Sequence, residues 1–303
     1  MAEAVPTTYR GRFAPTPSGP LHFGSLVAAA GSYLEARSRS GEWCLRIDDL
    51  DPPRVAPGAT DLILRCLEAY GLQWDGPVLF QSRRLPAYHA ALHQLRRLGV
   101  IYPCACTRKQ IGALVAASGE DVLYPGTCRD ALPPGRPARA LRLNVRGAHV
   151  ALEDRLLGRL SRDLEHSAGD FIVYRFDRIY AFHLASAVDD AEQGMTDVVR
   201  GADLLESSMR QALVLRLLAL PAPRYVHLPV AVNASGEKLS KQTKAAALDP
   251  SRPLPALLGV WRFLNQAWPK DFGDASVPEF WRYAIAHWDL RRVGPRLQAR
   301  APD

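Results

Sequence analysis

A histidine and a glycine follow a turn rich in proline and glycine near the beginning of the chain. The pattern of a strand, a turn and a helix start runs through Arg12-Phe-Ala-Pro-Thr-Pro-Ser-Gly-Pro-Leu-His22-Phe-Gly-Ser25. A helix N-terminus offers unpaired backbone N–H groups and a positive dipole, which suit a phosphate group. His22 could donate to a phosphate oxygen, and Gly24 lacks the side chain that would hold a flat nucleobase away. The segment is typical of a nucleotide site, and equally of a capped helix beside a surface histidine.

Three lysines lie close together in a chain that otherwise uses arginine. Lys238, Lys241 and Lys244 account for three of only five lysines in the sequence. They follow a predicted strand on a segment rich in Asn, Ser and Gly, where each ammonium is a point charge with freely turning donors. Lysines three residues apart on such a loop suit a mobile clamp on a polyphosphate. A solvated basic loop has the same spacing, so this segment alone leaves both interpretations open.

Three cysteines and a tyrosine form a third group of candidate ligands. Cys104, Cys106, Tyr124 and Cys128 offer three thiolates and one further donor, enough for a closed tetrahedral Zn²⁺ site. Reduced cysteines packed in a core are the alternative. The five cysteines of the chain are an odd number in a long sequence, so a disulfide framework is not expected.

The composition is that of a folded protein with a basic surface. Of the 303 residues, 48% are hydrophobic and 23% charged, which excludes the class of disordered chains. The net charge of +7 and the pI of about 9.3 favour a polyanionic partner. No apolar run approaches the roughly 18 residues that a membrane span needs, and the N-terminus has no apolar region of a secretory signal. We expect a cytoplasmic monomer without membrane contact.

The elements that must position these residues alternate as in a βαβ protein. The first part of the chain predicts strands over 10–14 and 43–47 and helices over 24–37, 59–70 and 86–98, which favours a parallel sheet. Ser25 is the expected N-cap of the first helix. We expect the first half of the catalytic domain over 1–100, an inserted subdomain over 101–166, the second half over 167–244, and a helical region over 245–303.

The segment from Arg12 to Ser25 and the three clustered lysines are interpreted differently when they are considered together. The chain resembles the class I aminoacyl-tRNA synthetases, which carry a His-Ile-Gly-His-like motif early and a Lys-Met-Ser-Lys-Ser-like motif late. The resemblance extends over Leu45-Arg-Ile-Asp-Asp-Leu-Asp51 and over 189–203, and it is specific to the glutamyl/glutaminyl branch. Ser25 stands where the early motif has its second histidine, and Gln242 stands where the late motif ends in serine. Short paralogues of the glutamyl enzyme are the most similar.

The resemblance implies a fold and a set of roles. The fold would be an α/β, Rossmann-like doubly wound parallel sheet with an inserted zinc-containing subdomain and a short C-terminal helical region. His22 and Lys241 would be catalytic. The residues expected to bind ATP with Mg²⁺ are His22, Gly24, Ser25, Lys238, Ser240 and Lys241. Those expected to bind glutamate are Arg12, Phe13, Ala14, Pro15, Thr16, Asp48, Phe182 and Arg200. One structural Zn²⁺ would be held by Cys104, Cys106, Tyr124 and Cys128.

Within the glutamate site, residue types suggest how each group would act. Guanidinium forks at Arg12 and Arg200 suit a dicarboxylic substrate, because each can pair with a carboxylate bidentately. Asp48 would accept the α-ammonium at a position where glutamyl enzymes usually carry glutamate. Phe182 stands where the family has a tyrosine, so the hydroxyl of that residue is absent here.

The resemblance also implies a reaction and a partner. Glutamate would react with ATP to give glutamyl-adenylate without tRNA, and the glutamyl group would pass to queuosine in the anticodon stem-loop of tRNA(Asp). Only 59 residues follow Lys244, too few for the helical body with which full-length glutamyl enzymes read the anticodon. Two alternatives stay open: a truncated glutamyl-tRNA synthetase that charges the tRNA 3′ end, and a non-catalytic tRNA-binding relative, which Ser25 and Phe182 would favour.

Overall fold

Parallel strands alternate with helices through most of the computed structural model, which describes residues 8–107, 109–112, 123–239, 246–267, 269 and 275–301. The strands are β1 (Arg10–Phe13), β2 (Glu42–Ile47), β3 (Leu79–Phe80), β4 (Ile101–Cys104), β5 (Ala140–Leu143), β6 (His149–Asp154), β7 (Gly158–Asp163), β8 (Phe171–Arg175), β9 (Asp197–Gly201), β10 (Arg224–Leu228), β11 (Val230–Val232) and β12 (Gln298–Arg300). The helices of these ranges include α1 (Phe23–Arg37), α2 (Ala59–Ala69), α3 (Leu85–Arg97), α4 (Leu164–Ser167), α5 (Phe182–Glu192), α6 (Leu205–Leu217), α7 (Pro253–Phe263), α8 (Val277–His287) and α9 (Leu290–Val293).

Two groups of parallel strands meet side by side at the centre of the molecule. β1 pairs with β2 and β2 with β3, while β9 pairs with β10 and β10 with β6, all in parallel. The N–H of Thr196, just before β9, donates to the carbonyl of Arg10 in β1 at 2.9 Å. The spatial order is therefore β3-β2-β1-β9-β10-β6, with β7 added antiparallel to β6. The predicted doubly wound α/β fold is confirmed, and its strand order reverses between β1 and β9.

A smaller antiparallel sheet, β4-β5-β8, carries the cysteine cluster. This sheet does not have the bounds predicted for the insertion, 101–166. β8 lies beyond that range, whereas β6 and β7 lie within it and extend the parallel sheet through β10. Strand partners so distant in sequence are selected by tertiary contacts, which local patterns do not report.

The first helix is packed between the central strands and the C-terminal helices. Trp43 of β2 is fully buried, and its indole N–H donates to Ser32 Oγ of α1 at 2.9 Å. Tyr33 of α1 contacts Trp281 of α8 edge to face, with ring centroids 4.8 Å apart. The Trp281 indole N–H donates to the carbonyl of Tyr70 at the end of α2, at 2.7 Å. The C-terminal helices thus complete the same hydrophobic core as the strands.

Within the described ranges, no helix is both long enough and apolar enough to cross a bilayer.

Candidate active site

A cleft opens at the C-terminal ends of β1 and β9, where the strand order reverses. Open α/β sheets bind ligands at this position, because the loops after adjacent strands diverge there. The cleft has a volume of about 610 Å³. The predicted site residues that line it are Arg12, Phe13, Ala14, Pro15, Thr16, His22, Gly24, Ser25, Asp48, Phe182, Arg200 and Lys238. Ser240 and Lys241, the remaining residues predicted to bind ATP, lie outside the described residues.

His22 is the N-cap of α1, a role predicted for Ser25. The Nδ1 atom of His22 accepts the backbone N–H of Ser25 at 3.4 Å, and Ser25 Oγ accepts the N–H of His22 at 3.5 Å. The expected N-cap was wrong because α1 begins two residues before Ser25, which makes Ser25 the third helical residue of a capping box. With Nδ1 acting as an acceptor, the neutral ring carries its proton on Nε2, which is therefore a donor.

The described residues on either side of the segment 240–245, which contains Lys241 and Lys244, lie close to the beginning of α1. Leu239, one residue after Lys238, places its carbonyl oxygen 3.4 Å from where a Cβ on Gly24 would stand. On the far side of the segment, the N–H of Leu248 donates to the carbonyl of Leu21 at 2.9 Å. Both ends of the segment are thus fixed beside His22. Gly24 permits this approach because it has no side chain.

Lys238 itself lies at the edge of the cleft. Its Nζ atom is 2.5 Å from Asp203 Oδ2, and the two side chains are 50% and 32% exposed. The pair joins the loop after β9 to the beginning of the lysine-containing segment. An exposed pair of this kind contributes little to stability, so a phosphate group could compete for the lysine.

The floor of the cleft is a buried cluster of charges. Arg12 donates from Nε and Nη2 to the two oxygens of Asp190, each at 3.1 Å. Arg46 donates to Asp190 at 2.6 Å and to Asp48 at 2.7 Å. Burial would raise the pKa of Asp190, but the charges of Arg12 and Arg46 hold that pKa well below its ordinary value. Burial raises the pKa of Asp48, against the opposing charge of Arg46.

This cluster changes one expectation about the glutamate site. The Arg12 fork, expected to face a substrate carboxylate, is bidentate to Asp190 instead. Asp190 belongs to the motif noted in the sequence, but nothing local indicated its partner, because 178 residues separate it from Arg12. The sequence does contain a signal for Arg46, because it lies two residues before Asp48 and positions i and i+2 of a strand share one face.

Arg200 is the buried cation of the cleft whose charge is not neutralised. It is 5% exposed, and Nη2 donates to Gln211 Oε1 at 2.7 Å. Its Nε atom is buried without a hydrogen-bond partner, and within the described part of the chain no carboxylate lies within 4.0 Å of the guanidinium. Burial lowers the pKa of Arg200 to about 10, so the group stays protonated at neutral pH. A buried, unpartnered donor with a full charge suits an anionic ligand. No feature of the sequence indicated Gln211, which accepts the hydrogen bond from Arg200.

A second cavity of about 460 Å³ adjoins the cleft. The two share Thr16, Asp48, Arg54 and Phe182 in their linings. Phe182, the first residue of α5, is 38% exposed and stands between them. The second cavity continues to Tyr124 and to the small sheet, so it connects the cleft with the cysteine cluster.

The four predicted metal ligands come together beside the small sheet. The Sγ atoms of Cys104, Cys106 and Cys128 all lie within 4.8 Å of one another. The Cys106–Cys128 distance is 3.6 Å, and the Tyr124 hydroxyl is 3.4 Å from Cys104 Sγ and 3.7 Å from Cys106 Sγ. A tetrahedral Zn²⁺ with bonds of about 2.3 Å to sulfur requires ligand separations of about 3.8 Å. The donor set therefore fits zinc in type and in spacing.

Comparison with known proteins agrees with this geometry. The model of the catalytic domain of class I tRNA synthetases (E and Q) matches residues 8–251. Glutamyl-Q tRNA(Asp) synthetase of Aromatoleum aromaticum is 50% identical over 302 residues, which cover 100% of this chain and 96% of the relative. The protein of the same name from Dechloromonas aromatica is 53% identical over 287 residues, 94% of this chain and 95% of the relative. The chain belongs to the glutamyl-Q tRNA(Asp) synthetase family of class I tRNA synthetases.

The solved structures agree on the fold of this synthetase. A crystal structure of a glutamate tRNA ligase from Elizabethkingia meningosepticum in complex with its amino acid superposes with a TM-score of 0.78 at 25% identity. The match covers 97% of this chain and 67% of that one. The resemblance stated from the motifs is therefore confirmed at the level of family, fold and ligase class.

His183 is a partly buried residue of the synthetase that the motifs did not indicate. Its Nδ1 atom is buried without a hydrogen-bond partner, and its ring packs against Phe171 with centroids 5.4 Å apart. Burial, with the nearby charges of Arg210 and Arg200, lowers the pKa of His183 to about 3. The ring lines the second cavity as a neutral group over the physiological pH range.

This burial predicts a specific pH dependence of stability. Between pH 6.5 and 3 the folded protein keeps His183 neutral, whereas the unfolded chain protonates it, so the free energy of unfolding falls as the pH falls. Between pH 7 and pH 5, the free energy of unfolding of the wild type should fall by about 2 kcal/mol more than that of His183→Asn. Urea unfolding at both pH values measures the difference.

A matched control comes from the exposed His166, whose pKa is raised by the hydrogen bond that its ring donates to Asp163. Its stabilising contribution is lost as the pH rises, so His166→Asn should change the pH dependence in the opposite direction. Identical profiles for wild type and His183→Asn would contradict the burial of an uncharged ring.

Proposed function

We propose that this protein activates glutamate with ATP in the absence of tRNA and then transfers the glutamyl group to queuosine at the wobble position of tRNA(Asp). The observation that carries the proposal is the buried Arg200, whose charge has no carboxylate partner in the described structure, in a cleft that His22 and Lys238 also line. The names of relatives about 50% identical over nearly the full chain support the choice of tRNA and of acceptor. The proposed substrates are cytoplasmic, and so is the proposed reaction.

The ATP phosphates would lie at the start of α1. The Nε2–H of His22 would donate to a phosphate oxygen while Nδ1 caps the helix, so one ring serves both purposes. Gly24 and Ser25 would leave room for the nucleotide, and Lys238 would exchange Asp203 for a phosphate. Lys241 and Ser240 are included among the proposed ATP-binding residues only because they match the late motif.

Glutamate would bind over the charged floor of the cleft. Arg200 would pair with the side-chain carboxylate, and this contact would reject glutamine, which lacks the charge. Asp48 would accept the α-ammonium, with Arg46 holding its other oxygen. Arg12, engaged by Asp190, would contribute through its remaining N–H groups. Phe182 would form an apolar wall of the site.

The proposed chemistry requires no nucleophile from the protein. An oxygen of the α-carboxylate attacks the α-phosphorus, the bond between α- and β-phosphates breaks, and pyrophosphate leaves as its magnesium complex. The protein positions the reactants and stabilises charge on the phosphoryl oxygens. A hydroxyl of the queuosine cyclopentene ring then attacks the acyl carbon, its proton leaves, and AMP is released. The adjoining cavity would receive this nucleoside.

Zn²⁺ would be held by Cys104, Cys106, Tyr124 and Cys128. When bound, it would supply a structural crosslink between β4 and the segment that contains Tyr124 and Cys128. Arg142 donates to Cys104 Sγ at 3.3 Å and lies 3.8 Å from the Tyr124 ring centroid, so a positive charge faces this electron-rich set of ligands. The crosslink would fix one wall of the second cavity.

Labelled glutamate tests the proposed reaction directly. With ATP and glutamate, exchange of pyrophosphate should occur without RNA, and label should enter tRNA(Asp) that contains queuosine but not tRNA(Asp) that lacks it. Equal incorporation into both tRNAs would indicate charging of the 3′ end. Binding of tRNA without any exchange would indicate a non-catalytic relative.

His22→Ala should lower the rate of pyrophosphate exchange by about 10²- to 10³-fold, the usual cost of removing a donor to transition-state charge. His22→Asn separates the two roles of the ring, because asparagine is a good N-cap and restores about 1 kcal/mol of helix stability. Exchange kinetics and urea unfolding of both variants provide the measurements. Full recovery of the rate in His22→Asn would show that capping alone matters.

Metal analysis should find about one Zn²⁺ per chain, bound by the four ligands. Cys106→Ser should lose the metal and unfold at a lower temperature, since a ligand of the crosslink is gone. Cys66→Ser is the matched control, because Cys66 is a buried thiol of α2 away from the cluster. A metal content unaffected by Cys106→Ser would refute the assignment.

A further inference from the structure

We propose that the hairpin turn after β8 is a stacking surface for an unpaired base of the RNA substrate, a proposal that rests on the function proposed above. The turn spans residues 175–179 and is called the Phe176 turn. Phe176 is 66% exposed, more than any other large hydrophobic side chain among the described residues. Aromatic rings exposed on a protein surface are the usual platforms for splayed bases of single-stranded RNA loops.

The backbone of the Phe176 turn fixes the position of the ring. The N–H of Arg175 donates to the carbonyl of Ile179 at 2.8 Å, and the N–H of Arg178 donates to the carbonyl of Arg175 at 3.1 Å. Arg178 closes the turn with φ of 65°, in the left-handed region that favours glycine. An arginine at this position adds a cation to the turn although glycine would adopt the conformation more easily.

The charges around the ring fit a polyanion. The Arg139 guanidinium lies 5.8 Å from the centroid of the Phe176 ring. Asp177, the acidic residue of the turn, is engaged by Arg175 from two nitrogens, at 3.1 and 2.5 Å. In the described part of the structure, no acidic side chain lies within 4.0 Å of the Arg139 or Arg178 guanidinium, so both cations face outward unneutralised. An exposed ring with one such cation 5.8 Å away and another two residues along the turn suits a base with its flanking phosphates rather than an apolar protein surface.

The location connects this surface with the proposed acceptor cavity. Arg175 and Ile179, the two ends of the Phe176 turn, line the second cavity together with Phe182. The chain from the turn leads directly into α5, whose first residue is Phe182. A nucleoside in that cavity would therefore have its neighbour in the RNA at the Phe176 turn. The ring would hold the loop open while the modified base reaches the cleft.

The test compares Phe176→Ala with Phe176→Trp and with Leu62→Ala, a control at an exposed leucine of α2. Two quantities are measured on the full chain: the dissociation constant for an anticodon stem-loop of tRNA(Asp) with queuosine, and the KM for glutamyl transfer to the whole tRNA. Loss of one stacked base corresponds to a roughly 5- to 150-fold weaker complex. We expect about a tenfold rise of both quantities for Phe176→Ala, wild-type values for the other two variants, and unchanged pyrophosphate exchange in all.

Arg139→Gln and Arg178→Gln provide a separate readout. Each should reduce the dependence of log Kd on log salt concentration by about 0.7 per lost phosphate contact. The proposal would be overturned if Phe176→Ala bound the RNA as tightly as the wild type. It would also be overturned if Leu62→Ala weakened RNA binding as much as Phe176→Ala, or if Phe176→Trp lost affinity. If the wild type transfers no glutamate but Phe176→Ala still weakens RNA binding, the proposed function fails and the stacking surface stands. If the wild type does not bind the stem-loop, both fail.

Discussion

The buried carboxylate of Asp190 is the interaction on which the rest of the site depends. It joins α5 to β1 through Arg12 and to β2 through Arg46, and all three side chains are nearly inaccessible to water. Removing one partner from such a group leaves an uncompensated buried charge, which costs about 3–5 kcal/mol. The contact therefore fixes α5 against β1 and β2, next to the point where the strand order reverses. Arg12 and Arg46, which Asp190 holds in place, line the cleft.

The same cluster determines the polarity of the cleft. Arg12 and Arg46 are matched by Asp190 and Asp48, so their charges largely cancel. Arg200 stands outside these pairs and supplies a positive charge that is available to the proposed glutamate substrate. His22, at the beginning of α1, and Lys238 line the same cleft. A substrate with a carboxylate at one end and a reacting group near a triphosphate fits this distribution of charge better than a neutral one.

A second rigid unit supports the wall of the adjoining cavity. Asp170 is buried at the beginning of β8, where it accepts hydrogen bonds from Tyr102, Arg129 and the backbone of Val145. Arg129 follows a cysteine of the candidate metal cluster, and Tyr102 precedes another by two residues. Asp170 therefore orients the cysteine-bearing segments even before a metal is considered. Cys104 pairs with Ala140 and Ala140 pairs with Arg175, so one member of the cysteine cluster is in register with the end of β8 that leads into the Phe176 turn.

The sequence by itself determined the elements, the family and most of the residues that meet in the cleft. Strong apolar periodicity and turn residues marked the helices within a few positions, and the two motifs indicated a nucleotide site because such residue types are rare in that arrangement. The helix cap at His22, the bounds of the small sheet, the pairing of Arg12 with Asp190 and the roles of Gln211 and His183 were decided by tertiary structure alone. Each of them depends on which distant groups become neighbours on folding. Spacing along the chain reports only local geometry, whereas the charge, burial and hydrogen bonding of a side chain depend on neighbours that can be more than a hundred residues away.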